Sequence, residues 1–309
     1  MTIRISDVDI RQLHVFCAVV ECRGFTSAQS VLNIGQSTIS NQMAQLETRL
    51  GVRLCERGRT GFELTPKGRR VYEETLKLFR AHEDFQNITA ELKGRLSGYL
   101  NIALIDNVAT DPECPIVRAL NLFNSRDHEV SVRMEIMPPG DIERAVLDLD
   151  IDVAIGTFHH RVPGLDYRDI YIEENSLLCG YQNPIFSMTD DAEIHEAVRM
   201  ARKVTRSYLD KHDITSLGED EGAPSAVVQH LEAAAILILG GGHIGFLPRH
   251  LAQLWISRDE MKTVLPQEYV YKSVFSIVTR KAPRRSMILK AFLADLTEAS
   301  QLGDELRVA

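Results

Sequence analysis

The stretch Phe25–Val71, FTSAQSVLNIGQSTISNQMAQLETRLGVRLCERGRTGFELTPKGRRV, decides how this chain is read. Before it, Ile10, Leu13, Phe16, Cys17 and Val20 recur at helical spacing, and Gly24 ends that helix. Thr26 or Ser27 caps a short second helix, Ala28–Leu32, and Asn33-Ile34-Gly35 makes a tight turn. A third helix runs from Gln36 to Leu50 and stops at Gly51. Ile39, Met43, Leu46 and Leu50 share one face of it, while Ser37, Thr38, Ser40, Asn41, Ala44 and Gln45 occupy the others. One stripe therefore packs inward and the exposed side carries short, uncharged hydrogen-bonding groups. Such a face suits a major groove, where Asn and Gln bond adenine bidentately. Leu54–Leu64 sets Gly58 and Gly61 between short β-prone pieces, a two-stranded wing carrying Arg57 and Arg59. The candidate DNA contacts are Thr26, Ser27, Gln36, Ser37, Thr38, Ser40, Asn41, Gln42 and Gln45 for bases or phosphates. Arg49, Arg53, Arg57 and Arg59 are candidates for phosphates or the minor groove.

The charge is distributed accordingly. The chain has 309 residues and a net charge of −8, yet residues 1–95 hold 14 basic against 11 acidic side chains. Within Asn33–Arg70 the count is 7 to 3, whereas everything after residue 95 holds 21 to 32. A basic segment in an acidic protein points toward nucleic acid, although a solvated face can carry the same imbalance. At 44% hydrophobic and 25% charged residues, a disordered chain, a collagen-like fibre and a disulfide-stapled scaffold are excluded, and the length suggests two or three domains. Cys17, Cys22, Cys55, Cys114 and Cys179 make no C-x-x-C pair, so neither a zinc ribbon nor a disulfide framework is indicated. The N-terminus lacks a signal-peptide core, and no run reaches the ~18 apolar residues of a membrane span. These features predict a cytoplasmic protein with no membrane partner and no bound metal.

Beyond the wing, Thr65 caps and Pro66 starts a long helix reaching about Leu92. Val71, Leu78, Phe85 and Leu92 are spaced by sevens, with Glu74, Ala81 and Ile88 three residues on, an imperfect heptad stripe. The stripe either packs on its own domain or pairs two chains, and pairing is favoured because no large globular segment adjoins it. After Gly94 and Gly98, strands (Tyr99–Ile105, Val130–Ile136, Val153–Ile155) alternate with helices (Pro115–Asn124, Asp141–Leu147). A second set follows: strands near Asp166–Ile172, Leu177–Cys179, Lys203–Thr205 and Ile244–Leu247, with helices Ala192–Met200, Ser225–Leu239 and Arg249–Ile256. A strand within Tyr269–Thr279 and a terminal helix Ser286–Leu302 complete it, so an α/β domain with a largely parallel sheet is expected. Gly240–Gly245, GGGHIG, lacks the phosphate-loop pattern and follows a helix, so it reads as a helix-to-strand turn. His159-His160 has no second ligand cluster and reads as a solvated loop; His212, His230 and His243 are isolated. No G-x-S-x-G elbow occurs, which leaves an enzyme as the minor alternative.

Phe25–Val71 resembles the winged helix-turn-helix of LysR-type transcriptional regulators. The matching features are Phe16, Gly24-Phe25-Thr26, Ala28, Leu32, Gln36, Ser40, Leu46-Glu47, Leu50-Gly51, Leu54, Glu56-Arg57, Leu64-Thr65 and Gly68, in order and spacing. Gly35, Ser37 and Cys55 depart from the family's usual Ser, Pro or small residue, and Phe. Gly remains an acceptable N-cap, Ser37 is itself a possible cap, and Cys55 reads as one buried apolar group replacing another. Ala154–Thr157 and Gly240–Pro248 also sit where the family layout expects them.

The resemblance implies a multidomain α/β protein: a winged helix-turn-helix over 1–65, a linker or dimerisation helix over 66–93, and an effector-binding domain over 94–309. That last part would divide into subdomain I (about 96–160 and 268–309) and subdomain II (about 161–267), like periplasmic binding proteins. It implies a homodimer or homotetramer on double-stranded promoter DNA, a plausible contact with RNA polymerase, no cofactor, and a small-molecule effector between the subdomains. Ligands of α/β sheets bind at strand carboxyl ends. That rule nominates Asp106, Asn107, Thr110, Pro139, Gly140, Thr157 and Phe158, and from the second subdomain Thr205, Arg206 and Tyr208. Arg206 favours a carboxylate ligand through a bidentate pair, unless Asp106 neutralises it. A DNA-binding protein whose C-terminal half only oligomerises is the other alternative.

Overall fold

The computed structural model describes residues 6–58, 61–91, 96–208, 225–282 and 285–308; Arg59, Leu92 and His212 lie outside them. Residues 1–86 and 87–309 pack as two compact units. In the first, α1 (Asp7–Glu21) opens on a capping box: Ser6 N and Oγ each donate to Asp9 Oδ2 at 2.7 Å. α2 (Ala28–Leu32) ends with Asn33 in the left-handed region, which turns the chain into α3 (Gln36–Leu50). β1 (Cys55–Gly58) and β2 (Gly61–Leu64) pair antiparallel as the wing, and α4 (Pro66–Glu91) follows. Phe16, Val19, Ile39, Met43, Leu46 and Leu54 form the core, with Cys55 buried among them as an apolar group.

The start of α4 is locked to the wing. Thr65 Oγ1 accepts from Gly68 N at 2.8 Å and donates to Arg53 O at 2.7 Å. A Cβ on Gly68 would stand 1.8 Å from the Leu54 carbonyl oxygen, so only glycine fits there. The heptad stripe divides. Val71 and Leu78, with Tyr72 and Phe79, pack on the core of their own head, whereas Phe85 is 64% exposed. The first half of the stripe is therefore used within the chain, and only its later part is free of that core.

The second unit runs β3 (Ser97–Leu104), α5 (Ile116–Asn124), β4 (Glu129–Ile136), α6 (Pro139–Leu147), β5 (Val153–Thr157) and β6 (Leu165–Gly180). Then come α7 (Asp191–Met200), β7 (Lys203–Arg206), β8 (Ala226–Val228), α8 (Leu231–Leu239), β9 (Ile244–Pro248) and α9 (Arg249–Ile256). β10 (Met261–Thr263), β11 (Val270–Arg280) and α10 (Met287–Val308) close it. One sheet of nine described strands has the order β4-β3-β5-β11-β6-β9-β7-β8, with β10 paired to β6.

The largely parallel sheet is corrected to a mixed one. β3 pairs parallel with β4 and β5, and β7 parallel with β8 and β9. Between these halves β6 and β11 run antiparallel to each other and to their outer neighbours β9 and β5. Two long strands that carry the chain from one half to the other and back must oppose each other. β6 is also one strand of 16 residues, where the hydrophobic pattern, broken at Glu173-Glu174-Asn175, suggested two. The expected helix Ser225–Leu239 begins instead as β8, because Ala226–Val228 finds a parallel partner in β7; the helix starts at Leu231. β10 was not foreseen. Pro139 and Gly140 form the first turn of α6 rather than a loop.

Ile102, Ile155, Phe275 and Phe292 centre the core of the first half. In the second half Leu178 and Leu177, adjacent on β6, face opposite sides of the sheet and anchor separate clusters, one with Ile238 and Leu247, the other with Val198 and Ile244. Gly241 turns from α8 into β9 at φ +74°, so GGGHIG is a helix-to-strand turn.

Candidate DNA interface and effector site

α3 presents its outer face as the apolar spacing required. Ile39, Met43 and Leu46 are buried, while Gln36, Ser37, Thr38, Asn41 and Gln45 are exposed and Ser40 and Gln42 half-buried. The N-cap is Gly35 with no side-chain cap on itself; Gln29 Oε1, reaching across from α2, accepts from Gln36 N at 3.2 Å. Ser37 is thus not the cap, and its hydroxyl stays on the outer face. Two candidates are committed elsewhere. Arg49 ion-pairs with Asp9 of the α1 capping box, and Gln45 Oε1 accepts from Gln12 Nε2 at 2.9 Å. Both therefore fix α3 to α1. Glu47 Oε1 accepts from Leu54 N at 2.7 Å and holds the wing against the same helix. Thr26, Ser27 and Arg53 are exposed.

In the second unit, strand ends from both halves meet. Asp106, after β3, accepts from Leu231 N, the first residue of α8, at 2.6 Å, and His230 Nδ1 lies 3.8 Å from the same oxygen. Asp106 therefore caps a helix of the other half and does not pair with Arg206. Thr110 Oγ1 lies 3.0 Å from His250 Nδ1 at the start of α9. His250 Nε2 lies 3.0 Å from Glu173 Oε1 and 3.8 Å from Asp111 Oδ2. These three side chains bring one donor atom each within 4.8 Å of one another, a set that suits a divalent cation. Asn175, 0% exposed, donates to Glu173 Oε2 and to Ser273 Oγ, both at 3.3 Å.

Arg206 ends β7 and is 5% exposed. Nη1 donates to Tyr208 Oη at 2.9 Å and Nη2 to Tyr271 Oη at 3.2 Å; among the described residues Nε has no partner, nor does the buried Thr205 Oγ1. Burial opposes its charge, but Tyr271, Tyr208 and the Glu173 carboxylate hold its pKa above the ordinary value, so it stays a cation. Burial likewise pushes the Tyr208 phenol up to about 12. Pro139 is buried in α6, Thr157 is buried at the end of β5, and Phe158 packs edge-on to Tyr167, 5.7 Å between centroids. A groove of about 260 Å³, lined by Ile185, Ile194, Lys262 and Leu265 among others, includes none of them.

Residues 10–69 match the bacterial regulatory helix-turn-helix protein, lysR family, and residues 93–301 match the LysR substrate binding domain. This chain belongs to the LysR family of transcriptional regulators. It is 36% identical over 290 residues to the transcriptional activator BauR of Pseudomonas aeruginosa, covering 94% of this chain and 95% of that one. It is 33% identical over 148 residues to the probable regulator LrrA of Synechococcus elongatus, covering 48% and 49% of the two chains. Its fold is similar to that of the LysR family regulator CbnR, with a TM-score of 0.68 at 21% identity over 94% of this chain and 99% of that one. CbnR in complex with its target DNA matches with a TM-score of 0.67 at 22% identity over the same shares. Among the described residues no helix is long and apolar enough to cross a membrane.

In this LysR protein the fold gathers the strand-end nominees Asp106, Thr110, Arg206 and Tyr208 with Asp111, Glu173, Asn175, His250 and Tyr271, which the strand-end rule did not name. His250 follows β9 directly and was within reach of the same rule. Glu173 and Asn175 lie inside a strand, and their signal was the break in its apolar pattern.

Proposed function

We propose that this LysR family regulator reads promoter DNA with the exposed face of α3 and is controlled by a small anionic effector held at Arg206. The observation that carries the first part is α3 itself: three buried apolar residues on one side, and Ser37, Thr38 and Asn41 in solvent on the other. These three contact bases, with Gln36, Ser40 and Gln42 beside them. Thr26 and Ser27 at the start of α2, together with Arg53, Arg57 and Arg59, contact phosphates. Arg49 and Gln45 serve as struts between α3 and α1. The exposed Phe85 supports pairing of two chains along α4, so that two heads meet neighbouring half-sites. The protein acts in the cytoplasm, where the promoter and RNA polymerase are.

The second part rests on a buried arginine whose hydrogen bonds among the described residues go only to two phenols, with Nε left unpaired and the Glu173 carboxylate acting on it only through space. A ligand with different affinity for two arrangements of the two halves shifts their equilibrium, and that shift is the regulatory signal. Selection of sites from a random duplex pool by the full-length chain, followed by titration of the selected and a scrambled duplex, tests the DNA reading. Equal affinity for both duplexes refutes it.

A further inference from the structure

The cluster around Arg206 asks for more than an anion. Among the described residues, Arg206 Nε is a buried donor with no acceptor, and Asn175 Oδ1 is a buried acceptor with no donor. The two residues share a neighbour: Asn175 is the register partner of Tyr271 on β11, and the Tyr271 hydroxyl accepts from Arg206 Nη2 at 3.2 Å. Two residues before Asn175, Glu173 is 8% exposed and stands beside Asp111 and His250. One side of the cluster is thus a fixed cation with a spare donor. The other side is rich in carboxylate with a spare acceptor. Unsatisfied buried groups of both kinds are costly, and each is relieved by a ligand group of the opposite kind. A simple carboxylate satisfies Arg206 and leaves Asn175 Oδ1 unsatisfied beside like charge. A simple amine does the reverse.

Resting on the effector reading above, we infer that the ligand is a small zwitterion, an amino carboxylic acid with a short spacer. Its carboxylate lies on Arg206 and the Tyr208 hydroxyl, and its ammonium on Asn175 Oδ1 and the Glu173 carboxylate. No bond is made or broken. Selectivity arises because either half of the ligand alone leaves one end of the cluster unsatisfied.

The test is calorimetric titration of the full-length protein with straight-chain amino acids having one to four methylenes between ammonium and carboxylate, and with the acids and amines of matching length. The best amino acid is expected to bind at least about tenfold more tightly than its matching acid or amine, the scale of one charge-assisted hydrogen bond. Arg206→Met should weaken it by about ten- to hundredfold. Glu173→Gln should weaken it by about tenfold while leaving the matching acid within about threefold. The wild-type comparison needs no variant, so misfolding of a variant does not decide the outcome. If the acid binds as tightly as the amino acid and loses affinity in Arg206→Met, the zwitterion is wrong and the anionic site stands. If no probe binds the folded, DNA-binding protein at about 10 mM, both are wrong.

Discussion

Replacing Gly68 by Ala sets two opposing effects against each other. Gly68 sits in the first turn of α4, where alanine ordinarily stabilises a helix by about 0.4–1 kcal/mol by restricting the unfolded chain. Here the added Cβ meets the Leu54 carbonyl oxygen at 1.8 Å, against about 3.3 Å for an ordinary C···O contact. Backbone, not a flexible side-chain end, must yield about 1.5 Å. The wing and α4 then separate, straining the bonds from Gly68 N to Thr65 Oγ1 and from Thr65 N to Leu54 O, at 2.8 and 3.0 Å. Overpacking costs about 1–3 kcal/mol and each weakened bond about 1 kcal/mol. The clash wins, and a net loss of about 2–4 kcal/mol is expected, large against the 5–15 kcal/mol of a typical domain. Denaturant unfolding of the full-length protein, followed by a probe in residues 1–86, measures it. DNA affinity should fall as well, because the wing is displaced from α3. A Gly68→Ala protein as stable as wild type, or more stable, refutes the close approach of α4 to the wing.

Asn41→Ala and Ser37→Ala should weaken binding to the selected duplex by about 1–3 kcal/mol and leave random duplex unchanged, by fluorescence anisotropy; equal losses on both remove the base-reading role. Arg57→Ala should weaken both duplexes and flatten the salt dependence by about one unit of slope. Phe85→Asp should lower the oligomeric state in sedimentation equilibrium while the head stays folded, whereas Leu78→Asp should unfold the head, because Leu78 packs on its own core. An unchanged oligomer in Phe85→Asp rules out pairing through that residue. Asp9 is held below the usual carboxylate range by the Ser6 hydroxyl and by Arg49. Its contribution is full above the unfolded-state pKa of about 3.9 and is lost as pH falls through the lower folded value. Asp9→Asn should therefore destabilise at pH 7 and converge with wild type in acid; a constant difference across that range contradicts the linkage.

The head was legible almost residue by residue. Its helices are short, their caps and turns lie within a few positions of the residues they serve, and the apolar stripe of α3 names its own buried face. What the spacing did not reveal were contacts across elements. Gln29 caps α3 from another helix, and Asp9 and Gln12 claim Arg49 and Gln45. A side chain's own position in a helix does not say which distant partner will take its polar end.

The α/β unit shows the limit more clearly. Local periodicity determined that strands and helices alternate, and strand ends marked Asp106, Thr110, Arg206 and Tyr208. Pairing partners are chosen at long sequence separation, so neither the antiparallel crossing of β6 and β11 nor the diversion of Ala226–Val228 into a strand could be read locally. The run Glu173-Glu174-Asn175 looked like a strand break because strands ordinarily bury apolar residues. In the fold it is an unbroken strand whose main chain pairs with β11; Glu173 and Asn175 are buried toward His250 and Tyr271, while Glu174 is half-exposed and pairs with Arg249 and Lys272. The sequence by itself determined which segments are regular and which helix faces solvent, because those follow from neighbours a few residues apart. The tertiary structure alone decided which buried charges meet, because that depends on strands nearly a hundred residues apart being hydrogen-bonded side by side.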